Sequence, residues 1–113
     1  MRDGDYLSGY RLMWMMVMFD LPVDTPKARK EATKFRQFLL DQGFEMSQFS
    51  IYLRFANGKE QVETYTRRIE RHLPEFGKVY IVTITDKQYE RIVRFSGRSR
   101  QDAVRNPGQL ALF

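Results

Sequence analysis

MMVMFDLP, residues 15–22, is the stretch that decides the fold of this chain. It continues an uncharged run that starts at Leu12 and shows no polar face of helical period. An apolar run of this length is typical of a buried central strand. Pro22 cannot donate a hydrogen bond to a sheet ladder, so the strand is predicted to end at about Asp20. Because burying a charge at the tip of such a strand costs free energy, Asp20 is the first candidate for a functional residue.

Length and composition limit the class of protein. With 113 residues, the chain is predicted to form one domain around one modest core. It contains no cysteine, which excludes disulfides and thiolate metal sites. Without a membrane-spanning run of roughly 18 apolar residues or the pattern of a signal peptide, it is expected in the cytoplasm, with no membrane partner. The net charge of +5 is compatible with a nucleic-acid partner and equally with a solvated basic surface.

Beyond Pro22 the chain alternates between helical and extended patterns. Thr25 followed by Pro26 is a typical helix start, and Gly43 is a typical helix end. Residues 44–55 are extended, either as two short strands or as one strand bent by a bulge. The predicted elements are a helix over about 26–42, the extended pair in 44–55, a helix ending before Pro74, a strand at Lys78–Thr85, a short turn at Asp86–Glu90 and a strand at about Arg91–Phe95.

This order of elements predicts an α+β fold of the ferredoxin-like type, βαββαβ, with an extra C-terminal strand and a tail. The domain is expected over residues 11–97, after a flexible leader at 1–10 and before a tail at 98–113. With helices on one side only, apolar side chains such as Tyr80 and Val82 would be exposed on the open sheet face. We therefore expect a homodimer that forms through that face or through a sheet edge.

Asp20 has two interpretations from its own chemistry. A single carboxylate binds Mg²⁺ weakly, because Mg²⁺ requires about six oxygen ligands. In a symmetric dimer, two Asp20 side chains near the two-fold axis could share one ion, and a water on that ion could attack a phosphodiester. Alternatively, Asp20 only caps the turn that leads into Leu21 and Pro22.

Five blocks of this sequence resemble CRISPR-associated protein two, in the order and at the spacing of that family. The similarity covers about residues 11–97 and is of the type II kind. The blocks are MFDLP at 18–22, FRQFL at 35–39, GF at 43–44, QFSIY at 48–52 and TITDKQY at 83–89.

The resemblance implies a homodimer that bridges dimers of the integrase, CRISPR-associated protein one, and clamps duplex DNA during spacer acquisition. It also implies a magnesium-dependent endonuclease in which each subunit provides Asp20 as the catalytic and metal residue, with Ser50 near the site. Spacer integration is attributed to the integrase, so catalysis at Asp20 is not expected to be needed for it, and whether the chain acts as an enzyme stays open. The alternative is a metal-dependent endoribonuclease similar to toxins of the same fold.

Two groups of basic residues are candidates for binding a nucleic-acid backbone. Repeated on two subunits, they could contact phosphates without reading the base sequence. For any one of them, a charged surface that is only solvated is the simpler interpretation. The candidates are Lys27, Arg29, Lys30, Lys34, Arg36, Arg91, Arg94 and Arg98.

The C-terminal pentapeptide QLALF also has two interpretations. It resembles the peptide by which bacterial replication proteins dock on the sliding clamp. The favoured interpretation is an added β-strand that pairs with the other subunit or with the integrase. The contact residues in either case are Gln109, Leu110, Leu112 and Phe113.

Overall fold

A computed structural model describes residues 12–101 of the chain. The predicted leader at 1–10 and the C-terminal pentapeptide therefore lie outside the described residues. The α+β, ferredoxin-like order of elements is confirmed. The elements are β1 (Leu12–Asp20), α1 (Pro26–Asp41), β2 (Glu45–Gln48), β3 (Ile51–Asn57), α2 (Gly58–Glu70), β4 (Lys78–Thr85), α3 (Asp86–Glu90), β5 (Arg94–Ser96) and β6 (Ser99–Gln101).

Strand β1 lies inside the main sheet, as its continuous apolar run predicts. The sheet has the order β2-β3-β1-β4, and every neighbouring pair is antiparallel. Leu12 is paired with Asn57 at one end of β1, and Asp20 is paired with Lys78 at the other end. The two ends of this central strand thus define two ends of the whole sheet.

The two faces of β1 contribute to two separate cores. Met15, Val17 and Phe19 are buried in the larger core, together with side chains from α1 and α2. Trp14 faces the opposite side, where it packs with Leu53 and with Tyr89 of α3. Helix α3 therefore covers the Leu12 end of the open face, and α1 and α2 lie on the other side of the sheet.

Helix α1 has the boundaries that its local signals predict. The Thr25 hydroxyl accepts a hydrogen bond from the Ala28 amide at 3.0 Å, and Pro26 stands at the first helical position. At the other end, Gly43 adopts a φ of 87°, a conformation that terminates helices and favours glycine. Within residues 12–101, no helix has the length and apolar character needed to cross a membrane.

The extended pair forms two strands rather than one. The register between β2 and β3 shifts between Met46 and Gln48, and a turn at residues 49–50 separates the strands. In β3, Arg54 takes a position on the helix side, where its guanidinium carbon lies 4.2 Å from the ring centroid of Tyr65. This guanidinium also donates a hydrogen bond of 2.7 Å to the Gln42 carbonyl oxygen, which satisfies one of its donor groups on the helix side of the sheet.

The extra C-terminal strand exists, but it begins three residues later than predicted and pairs outside the main sheet. Strand β5 forms a hairpin with β6, and the turn between them contains Gly97 with a φ of 62°. The β-branched residues Ile92 and Val93 favoured an earlier start. Ile92 instead donates its amide to the Tyr89 carbonyl oxygen at 3.1 Å, which makes it part of the exit from α3.

Candidate functional site

Asp20 is exposed at the end of β1. Its side chain lies on the open face of the sheet, because residues alternate along a strand and Phe19 is buried on the helix side. Among residues 12–101, nothing donates a hydrogen bond to its carboxylate or pairs with it. With respect to the described residues, the carboxylate is therefore solvated rather than buried, and it is available to a ligand.

Lys78 is the cross-strand neighbour of Asp20. Residues directly opposite each other in an antiparallel pair have Cβ atoms about 4.5–5.5 Å apart on the same face of the sheet. Lys78 is exposed as well. Lys78 is not among the candidate residues predicted from the sequence, although it opens the strand predicted at Lys78–Thr85. The missing information was the register, which a single sequence does not provide.

Gly77 brings the start of β4 close to the backbone of Asp20. Its φ is 103°, and a Cβ atom at this position would lie 2.7 Å from the Asp20 carbonyl oxygen and 2.7 Å from the Cδ2 atom of Leu21. A side chain at residue 77 would thus require the end of β1 to shift. Glycine is the residue that satisfies both the backbone conformation and the available space.

Ser50 lies on the other side of β1, in the turn between β2 and β3. Its carbonyl oxygen accepts a hydrogen bond of 3.0 Å from the Phe19 amide, one residue before Asp20. Its φ of 66° is in the left-handed region, which non-glycine residues adopt at a cost of about 1–3 kcal/mol. The neighbouring Phe49 is 85% exposed. The end of β1 is thus held between a strained turn and the start of β4.

Asp20 fits a magnesium site as one ligand of several. A carboxylate oxygen is the donor that Mg²⁺ prefers, and this carboxylate is exposed and has no partner among residues 12–101. Within the described part of the chain, no three His, Cys, Asp or Glu residues are grouped to hold a metal ion. The described residues of one chain therefore offer one acidic ligand here, and a second copy with water molecules could supply others.

The lysines of α1 lie at the surface of the helix. Lys30 and Lys34 are exposed. Lys27 forms an ion pair with Glu75 at 3.3 Å, and both side chains are exposed. Because exposed ion pairs contribute only about 0–1 kcal/mol, Lys27 can exchange this partner for a phosphate at little cost.

The two arginines of α1 differ from the lysines. Arg29 donates a hydrogen bond of 3.0 Å to the Val23 carbonyl oxygen and so braces the loop before the helix. Arg36 is half-buried, with its guanidinium carbon 5.9 Å from the ring centroid of Phe19. The Arg36 charge therefore lies on the helix side of the sheet, whereas Asp20 lies on the open side.

No hydrogen bond or ion pair among residues 12–101 joins the C-terminal arginines to Asp20. Arg91 and Arg98 are exposed, but they follow α3, which covers the Leu12 end of the sheet. Arg94 is half-buried and donates a hydrogen bond of 3.0 Å to the Tyr89 hydroxyl. Arg94 thus fastens the β5–β6 hairpin to α3.

Comparison with known proteins assigns the chain to a family. The family model for CRISPR associated protein Cas2 matches residues 13–92. The chain is 61% identical over 107 residues to a CRISPR-associated endoribonuclease Cas2 of Paracidovorax avenae, which covers 95% of this chain and 99% of that relative. Proteins of the same name from Flavobacterium psychrophilum and Parvibaculum lavamentivorans are 47% and 46% identical, over 100% and 89% of this chain and 100% of each relative. The fold and these similarities together show that the chain belongs to the CRISPR-associated protein Cas2 family.

Proposed function

We propose that this chain is an adaptation subunit of a CRISPR system, acting as a homodimer in the cytoplasm. In this role it bridges dimers of the CRISPR-associated protein one integrase and clamps duplex DNA while a new spacer is acquired. Membership of the Cas2 family is the observation that carries the proposal. The uncovered end of the sheet and the basic surface of α1 support its individual parts.

A second copy of the chain would cover the open sheet face. Tyr80 and Val82 of β4 are 58% and 38% exposed on that face. Apolar side chains grouped on a sheet in this way favour burial against a partner. A two-fold axis near the Asp20 end would bring the two carboxylates together, and this arrangement would supply a second acidic ligand, which residues 12–101 of one chain do not offer.

We further propose a phosphodiesterase activity at the paired Asp20 residues. Bound Mg²⁺ would supply an activated water and would stabilise charge on the phosphate. The chain itself contributes the carboxylate that holds the ion, on a strand end fixed by Gly77 and by the Ser50 turn. The relatives are named endoribonucleases, and this name favours RNA as the substrate. DNA is the alternative substrate.

For DNA clamping, the proposed contacts are the exposed lysines of α1. Lys27, Lys30 and Lys34 lie on the first turns of the helix, and their positions repeat on the second subunit of a dimer. Contacts of lysine with phosphate carry no sequence information, and they weaken as salt increases. A clamp of this kind would hold duplexes of any sequence.

An Asp20→Asn variant separates the scaffold from the enzyme. We expect Asp20→Asn to abolish magnesium-dependent cleavage of RNA and DNA substrates in vitro and to leave spacer acquisition in cells intact. Asp24→Asn, an exposed acid outside the site, is the matched control and should retain both. Cleavage that persists in excess EDTA would contradict the metal assignment. Loss of acquisition while the dimer and the integrase complex stay intact would contradict a pure scaffold.

The C-terminal pentapeptide can be tested apart from the site. We favour pairing of residues 109–113 as a strand with the other subunit or with the integrase. Pull-down experiments with sliding clamp and with integrase, using the chain with and without its last five residues, distinguish the two interpretations. A loss of clamp binding alone would favour the docking peptide.

A further inference from the structure

The register of the sheet places a second charged residue beside Asp20. Lys78 stands directly opposite Asp20 in the β1–β4 ladder, so the two side chains leave the sheet on the same face. Both are exposed, and among residues 12–101 neither has an ion-pair or hydrogen-bond partner. A lysine held next to a carboxylate without pairing to it is available to a ligand that approaches that carboxylate.

Two features of the backbone fix the position of Lys78: the contact at Gly77 and the register of the β1–β4 ladder. The residue before it is Gly77, whose missing Cβ allows β4 to begin in contact with the Asp20 carbonyl oxygen. From β1 the ladder continues without a shift between Asp20 and Met13. The Cα atom of Lys78 therefore cannot move along β1 without breaking this pairing.

The Lys78 ammonium lies beside the negative charge of Asp20 at this end of the sheet. The Asp20 carboxylate repels any phosphate group brought within a few ångströms of it, because like charges at that distance repel even in a high dielectric. An ammonium on the same face offsets this repulsion. Its four-carbon stem lets it reach past the carboxylate to a phosphate oxygen.

We propose that Lys78 binds a phosphate of the nucleic acid that lies at Asp20. This inference rests on the proposed phosphodiesterase function, since that function is what brings a phosphate to Asp20. In this assignment Asp20 and Lys78 form one site: the carboxylate holds the ion, and the ammonium holds the substrate.

A binding measurement without metal tests the role of Lys78 separately from catalysis. Fluorescence anisotropy in EDTA gives the affinity of the full chain for a short 2′-O-methyl RNA and for a duplex DNA of the same length. We expect Lys78→Gln to weaken binding of the preferred probe about fivefold, as for one exposed charge interaction. The slope of log affinity against log salt should become shallower by about 0.7–0.9 for each phosphate that the protein no longer neutralises.

Two further variants provide the controls. Lys59→Gln removes an exposed lysine at the start of α2, two residues after Asn57 and so at the opposite end of β1, and should bind as the wild type does. Lys78→Arg keeps the positive charge and should restore most of the affinity. Equal affinities and equal salt slopes for Lys78→Gln and Lys59→Gln would overturn the proposal. A change in sedimentation that accounts for the whole decrease in binding would overturn it too, in favour of a role for Lys78 in the subunit interface.

A double-mutant cycle measures the coupling between the two residues. In EDTA, Asp20→Asn should strengthen binding, because it removes the repulsion of the phosphate and the negative charge that offsets the Lys78 ammonium. The fold decrease in affinity caused by Lys78→Gln should then be larger in the Asp20→Asn background than in the wild type. If the cycle shows this coupling but wild-type protein with magnesium cleaves nothing, the phosphate site stands and the phosphodiesterase function fails. Independent, multiplicative effects of the two substitutions would refute the shared site.

Discussion

Gly77 determines how closely β4 can approach the end of β1. In Gly77→Ala the new methyl group would meet the Asp20 carbonyl oxygen, and the φ of 103° would be strained as well. We expect this variant to lose about 1–3 kcal/mol of unfolding free energy, the usual cost of such backbone strain. Urea denaturation measures the loss.

Gly97→Ala is the control for Gly77→Ala. Gly97 also has a positive φ, of 62°, but a Cβ atom there would meet nothing within 4 Å. It should therefore be the milder substitution and should leave the binding of nucleic acid at Asp20 unchanged. Equal losses of stability in the two variants would show that the close approach to Asp20 contributes nothing at residue 77.

Tyr89 gives the stability of the protein a dependence on alkaline pH. Burial raises the pKa of the Tyr89 hydroxyl above its ordinary value of 10.0, although the hydrogen bond from Arg94 opposes this shift. Because the folded-state pKa is the higher one, the stabilisation is complete below pH 10 and is lost as the pH rises through the folded-state pKa. We expect the urea midpoint to fall in this range, and to fall less steeply in Tyr89→Phe. A Tyr89→Phe midpoint that falls as steeply as that of the wild type would contradict this role of Tyr89.

The residues of the candidate site were predictable to different extents. Asp20 could be identified because its signal is local: an apolar run that ends in an acid and a proline. Ser50 could be identified only through its resemblance to a family motif, since its left-handed backbone leaves no trace in the residue type. Lys78 was not predicted as a candidate, because its place beside Asp20 comes from strand pairing with a residue 58 positions earlier in the chain. No local pattern reports such a pairing.

At the scale of the elements, the N-cap of α1 offers a direct test. Thr25→Ala removes the hydroxyl that accepts the Ala28 amide, and we expect a loss of about 1 kcal/mol in unfolding free energy. Thr33→Ala, which changes an exposed threonine inside the same helix, should cost nothing, because alanine is the better helix former. Circular dichroism during thermal unfolding measures both. A Thr25→Ala variant as stable as Thr33→Ala would contradict the capping role.

Elements with signals at both ends were predicted closely. Helix α1 has a threonine and a proline at its start and a glycine after its end, and its boundaries agree with the prediction to within one residue. Strand β5 has no such signals, and it begins three residues after the predicted start at about Arg91. Strand β6 was not predicted, because the residues after Gly97 show no alternation and the strand depends on its partner in the hairpin.

At the scale of the whole molecule, the proposed homodimer depends on the open sheet face. Val82→Glu places a charge on that face, and we expect it to convert the dimer to a monomer because a buried, unpaired carboxylate costs several kcal/mol. Sedimentation velocity measures the change. The melting temperature of the wild type should also rise with protein concentration, and that of the variant should not.

Leu40→Glu is the matched control for the dimer test. Leu40 is 46% exposed, somewhat more than Val82, but it lies on α1 on the other side of the sheet. This variant should remain dimeric. If Val82→Glu also remained a dimer, the subunits would have to associate through another surface, such as a sheet edge.

The single tryptophan of the chain, Trp14, gives the protein an intrinsic optical reporter. Its ring is stacked on Tyr89 with centroids 4.0 Å apart, and its indole nitrogen donates to an Asp86 carboxylate oxygen at 3.0 Å. Because Trp14 is only 3% exposed and α3 shields it, its emission should respond to the docking of that helix and stay silent during events at the far end of the strand. An emission spectrum of Trp14 that matches the wild-type spectrum therefore shows, without any label, that α3 is docked in a site variant before its binding is interpreted.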